Sequence, residues 1–152
     1  MSYVMVRGSV PIFWDQRGVY EEITYPKTPE MTTRPFRKHF TDLIDYYGDI
    51  FVVDLLSDTT ARELPLTSNY IRNIFECPKS IRDHLRFQHF DFHGFCKGDK
   101  YKMLKVLLTR LNEGFTTHGY LIEDLYLKKT LKTQTGVFRV NCLDSLDRTN
   151  VA

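Results

Sequence analysis

In the stretch "VFRVNCLDSLDRTN" (137–150), five residues separate Cys142 from Arg148, and Asp144, Asp147 and Thr149 lie between or beside them. That spacing suits phosphoryl transfer. A thiolate can attack phosphorus while the intervening backbone N–H groups ring the phosphate and a guanidinium holds two of its oxygens. A loop curling from a strand into a helix start also favours thiolate, lowering a cysteine pKa from near 8.5 to roughly 3.5–7.5. Asp144 is then a candidate proton donor to a leaving alcohol, Asp147 a less direct one, and Thr149 a candidate either to hydrogen-bond the sulfur or to help turn over the phosphoenzyme. A plainer reading makes Cys142 a buried core cysteine and Arg148 a solvated side chain.

Such a loop needs a strand before it and a helix after it. "VFRV" is apolar and β-branched after Gly136, and a helix is expected to begin near Thr149. Upstream, "YVMVRGSVPIFW" predicts a bent strand or two short ones, and residues 24–35, with three prolines, predict a loop. Helical spacing runs from Arg34 to Tyr47, with Gly48 as its stop. "IFVVDLL" (50–56) predicts a strand covered on both faces. A helix capped by Thr67 or Ser68 should end before Pro78, and "LRFQHFDFH" (85–93) predicts a strand. Asp99 should cap a helix carrying Met103, Leu104, Leu107, Leu108 and Leu111, with Gly114 just beyond it. "FTTHGYLI" is expected as a strand, and "LYLKKTLKTQT" as a basic loop or short helix. The alternation predicts one α/β domain: a layered, mixed or partly parallel sheet with flanking helices and the cysteine loop between strand and helix.

Other groups carry rival chemistry. His89, Asp91 and His93 would share one face of a strand, which suggests a metal-dependent hydrolase as an alternative, against hydrogen-bonded polar groups at a strand end. Lys97 and Lys100 in "CKGDK" read on their own as a solvated loop before a helix. Lys128, Lys129 and Lys132 suit contact with anionic lipid, against a solvated face.

The totals set limits. The 152 residues are 42% hydrophobic and 26% charged, with a formal charge of +2, too small for nucleic-acid binding by bulk electrostatics. Three cysteines without a CxxC pair argue against a zinc finger or a disulfide scaffold and for a reduced compartment. No apolar run is long enough to cross a bilayer, which leaves a cytoplasmic protein that meets membranes peripherally.

"RVNCLDSLDRTN" closely resembles the signature of the Sac-domain phosphoinositide phosphatases, R-x-N-C-x-D-C-x-D-R-T-N. Arg139, Asn141, Cys142, Asp144, Asp147, Arg148, Thr149 and Asn150 match, and Ser145 replaces the second cysteine. "RGSVPIFWDQ", "FRKHF…YG…VVDLL" and "FDFHGFCKGDK" resemble upstream segments of the same family, in the same order. The resemblance implies hydrolysis of a phosphomonoester on an inositol lipid at a membrane surface, through a phosphocysteine and without metal or cofactor. It implies Cys142 as nucleophile, Arg148 as phosphate clamp, Asp144 as acid and Thr149 as their neighbour. Asn141, Ser145, Asp147, Lys97 and Lys100 would then bind substrate. It further implies that residues 1–152 are the catalytic part of a longer domain, truncated at both ends. A phosphoinositide-binding fragment without turnover is the alternative of another class.

Overall fold

The computed structural model describes residues 1–18, 21–98 and 101–152. In chain order the elements are β1 (Met5–Arg7), α1 (Pro29–Tyr47), β2 (Asp49–Asp54), α2 (Leu64–Phe75), α3 (Lys79–Arg82), β3 (Leu85–His89) and α4 (Phe92–Phe95). A 3-10 turn (Tyr101–Met103) follows, then α5 (Leu104–His118), β4 (Ile122–Asp124), β5 (Lys129–Lys132), β6 (Gly136–Asn141) and α6 (Asp147–Val151).

Four strands form a sheet in the order β1–β6–β2–β3, and every pairing in it is parallel. Strand β6 lies against β2 from Gly136 opposite Asp49 to Asn141 opposite Asp54. The sheet, expected as mixed or partly parallel, is thus wholly parallel, and antiparallel pairing occurs in a separate β4–β5 ribbon and in the isolated bridges Ser2–Leu121 and Asp15–Thr24.

Alternation along the two central strands explains the layers. Ile50, Val52 and Val137 pack with Phe36 and Phe40 of α1 and Leu66, Tyr70 and Ile74 of α2. Phe51, Val53, Phe138 and Val140 pack on the other face with Leu107 and Leu111 of α5. A strand buried on both faces needs apolar residues at consecutive positions, which is why "IFVV" shows no polar alternation. Each fully buried large side chain contributes about 1.5–3 kcal/mol.

Several element boundaries differ from expectation. Helix α1 starts at Pro29 inside the expected loop, because Thr28 caps it by accepting from the Met31 N–H and proline suits the first helical turn. Pro35 then sits within the helix near its exposed N-terminal end. Helix α2 starts at Leu64, not after Thr67, again with a proline in its first turn. Gly114 does not stop α5. It lies within the helix, where a Cβ would come 2.6 Å from Phe51 and 2.8 Å from Phe138, and the stop is Gly119 at φ 64°. The first half of "FTTHGYLI" (115–118) is therefore helix and its last residue, Ile122, begins β4, while the basic segment forms a turn and strand β5. The Asp99 cap lies outside the described residues.

Candidate functional site

In a parallel sheet the carboxyl ends of the strands face the loops that bind ligands. Three polar ties join those ends here. Between β2 and β6, Asn141 Nδ2 donates to Asp54 Oδ1 at 2.6 Å. Between the loops after β2 and β3, Ser57 Oγ and Thr59 Oγ1 donate to Asp91 Oδ2 at 3.2 and 3.3 Å. Between the start of α2 and α6, Glu63 grips Arg148, with Nη2–Oε1 at 2.7 Å and Nη1–Oε2 at 2.8 Å.

Cys142 directly follows β6 and its residue is fully buried on the α5 face. Two partners meet its sulfur. Thr149 Oγ1, from α6, donates to Sγ at 3.2 Å, and Sγ–H donates to Asp144 Oδ1 at 3.4 Å. Asp144 Oδ1 also accepts from the Leu146 N–H at 3.0 Å. That backbone bond, together with the thiol, holds the Asp144 carboxyl below the usual range despite some burial. Asp144 therefore stands as an acceptor beside the thiol. This turn occupies the Leu146 amide.

The loop turns at Ser145, whose φ of 59° is uncommon for a residue with a Cβ. Its Oγ is buried and has no hydrogen-bond partner among the described residues. Asp147 is exposed in the first turn of α6.

Glu63 is 5% exposed and ionised. Burial pushes its carboxyl up, but Arg148 and the Ser57 N–H, at 2.7 Å, outweigh that and hold it below the usual range. Arg148 likewise loses to burial and gains more from Glu63, so its pKa rises. Its Nη1 also reaches the Leu55 carbonyl at 3.3 Å. Glu63 is free for this role because its side chain makes no cap bond to α2.

Beneath the loop, Arg139 is 2% exposed. It donates to Tyr70 Oη at 3.1 Å, Asn141 Oδ1 at 3.3 Å, the Ser9 carbonyl at 2.6 Å and His39 Nε2 at 3.2 Å. Burial first, then the Arg139 charge, push the His39 pKa down to about 4, so His39 is a neutral acceptor. Burial also raises the Asp54 carboxyl and the Tyr70 hydroxyl. Asn141 thus bridges a buried cation and a buried carboxyl.

Lys97 lines an open cleft of about 570 Å³ with Ser57, Thr59, Thr60, His93 and Gly94. Ser57 links this cleft through Glu63 to Arg148. Lys100 lies outside the described residues. Lys128, Lys129 and Lys132 sit on the β4–β5 ribbon, which leads into the amino end of β6, away from Cys142.

The shared strand face expected for His89, Asp91 and His93 is absent. Strand β3 ends at His89, Asp91 caps α4 by accepting from the Gly94 N–H at 2.9 Å, and His93 lies in that helix. The capping geometry breaks the alternation on which the metal reading rested. No group of three or more His, Cys, Asp or Glu among the described residues is placed to hold a metal ion. No helix among the described residues is long and apolar enough to cross a membrane.

Sequence reasoning missed Glu63, Asp54, His39 and Tyr70. Glu63 is 85 residues from Arg148, so no local spacing announces the pair.

The model of the SacI homology domain matches residues 1–97. The chain is 31% identical over 154 residues to the polyphosphatidylinositol phosphatase INP53 of Saccharomyces cerevisiae, covering 99% of this chain and 14% of that protein. It is 35% identical over 154 residues to inositol-1,4,5-trisphosphate 5-phosphatase 1 of Schizosaccharomyces pombe, with the same coverages. It is 35% identical over 155 residues to phosphoinositide phosphatase SAC8 of Arabidopsis thaliana, covering 99% of this chain and 25% of that protein. The chain thus spans a quarter or less of the length of these relatives. The family match stops before Cys142, whereas these relatives align with nearly all of the chain. By the extent of the domain match, the chain belongs to the SacI homology domain family.

Proposed function

We propose that this chain is the catalytic part of a phosphoinositide phosphatase that removes a ring phosphate from an inositol lipid at a membrane surface. The observation that carries the reading is the meeting of Thr149 and Asp144 on the Cys142 sulfur, within a loop whose Arg148 is held in place. Relatives named as phosphoinositide phosphatases support the substrate class.

The chemistry follows from the contacts. The Cys142 thiol proton passes to the Asp144 carboxylate, and the Thr149 hydroxyl steadies the thiolate. Sulfur attacks phosphorus while Arg148 binds two of its oxygens. The phosphorus bond to the ring oxygen breaks, and that oxygen takes the proton from Asp144. Asp144 then removes a proton from water, which displaces sulfur and releases phosphate. Lys97, with the hydroxyls of Ser57 and Thr59, suits the rest of the headgroup in the adjacent cleft.

Phosphate release from a phosphoinositide panel by the full chain tests the reading. Release by wild type and its loss in Cys142→Ser support it. Trapped phosphate on any residue other than Cys142 overturns the nucleophile assignment.

The complete burial of Cys142 favours a second reading: a phosphoinositide-binding module without turnover. Binding without release, unchanged in Cys142→Ser, selects it.

A further inference from the structure

We propose that Glu63 is a positioning residue, which fixes the Arg148 guanidinium so that its Nε–Nη2 edge is free to receive a substrate phosphate. The inference rests on the phosphatase reading above.

A guanidinium carries five N–H donors in a fixed plane. One edge joins the two terminal nitrogens, and both Glu63 oxygens lie on it. The outer hydrogen of Nη1, on the Cδ side, goes to the Leu55 carbonyl. The Nε–H and the second hydrogen of Nη2 remain, side by side on a third edge. Neither has a partner among the described residues. Two parallel N–H groups match two oxygens of one phosphate. The ion pair therefore occupies the edge that phosphate does not need and presents the edge that it does.

The support of Glu63 is itself fixed. Ser57 N–H holds Oε2 at 2.7 Å, and the Glu63 backbone N–H donates to Thr60 Oγ1 at 3.3 Å. Both residues belong to the turn leaving β2, so the rigid sheet sets the angle of an arginine on a short terminal helix. A guanidinium without this clasp keeps its charge and loses its orientation.

The test is a rapid-quench measurement of phosphoenzyme formation by the full chain, using labelled dioctanoyl phosphatidylinositol monophosphate. Glu63→Gln should slow formation about 100-fold while the final yield per chain stays that of wild type, the size expected for a misplaced catalytic group. Glu63→Asp, which keeps the charge with a shorter reach, should be slowed less. A lower yield at an unchanged rate means that Glu63 only supports folding, and overturns the proposal. If Glu63→Gln does not fold, Glu63→Asp decides: a wild-type rate in that variant overturns it. If wild type forms no phosphoenzyme, the phosphatase reading fails, and inorganic phosphate binding by calorimetry judges Glu63 separately. There, a loss of affinity of about tenfold or more in Glu63→Asp supports the proposal. Unchanged affinity, or no binding by wild type, overturns it.

Discussion

The Asn141 side-chain amide donates to Asp54 Oδ1 at 2.6 Å, at matched positions on neighbouring strands, while its carbonyl accepts from Arg139. Both residues are fully buried. Removing the amide leaves Asp54 Oδ1 with only the longer bond from the Leu56 N–H and frees one Arg139 donor. Asn141→Ala should therefore destabilise the chain by about 3 kcal/mol, the cost of leaving buried polar partners unpaired. Asp54→Asn should cost less, because it removes a carboxyl that burial already disfavours. Urea midpoints of the two variants at neutral pH check the order.

A second prediction concerns acid. His39 has a pKa of about 4 when folded against 6.5 for the free side chain. Its folded value is depressed, so its contribution is complete above pH 6.5. As pH falls from there toward 4, the unfolded chain binds a proton that the folded chain refuses, and stability falls. The loss should reach on the order of 2 kcal/mol after allowance for partial solvent exposure. His39→Gln keeps an acceptor for Arg139 and should flatten that slope. Denaturant unfolding of both proteins at about pH 7.5 and about pH 4.5, on either side of most of that loss, compares the slopes directly.

The parts legible in the sequence were those fixed by local pattern. The apolar run of β2 and the "VFRV" strand read correctly because a doubly covered strand needs continuous apolar residues. Proline misled at α1, where it starts the helix instead of breaking it, and glycine misled at Gly114, where absence of a side chain serves packing. At Asp91 a cap imitated strand alternation. Cys142, Asp144 and Thr149 come together within eight residues and were visible as a group. Glu63 and His39 reach the site through tertiary packing, and nothing in their own neighbourhoods marks them.

Gly114 gives a third prediction. Gly114→Ala places a methyl group against Phe51 and Phe138, both buried at the centre of the sheet. Neither ring is the loose end of a flexible chain, so α5 must shift. The expected loss is about 1–3 kcal/mol by overpacking, against the gain of about 1 kcal/mol that alanine brings to an exposed helix position. A lowered thermal midpoint of the full chain checks the sign.

The last prediction separates the two tasks given to Asp144. As the thiol's acceptor it matters for every substrate, and as proton donor it matters only where the leaving oxygen is a poor leaving group. Asp144→Asn keeps a carbonyl for the Leu146 N–H, so the loop turn survives. With a phosphoinositide, whose leaving group is a ring alkoxide, kcat should fall by about 100- to 10,000-fold. With an aryl phosphate, whose leaving group needs no proton, the fall should be at least about tenfold smaller. Equal losses on both substrates would confine Asp144 to the thiol and assign the leaving-group proton to another donor.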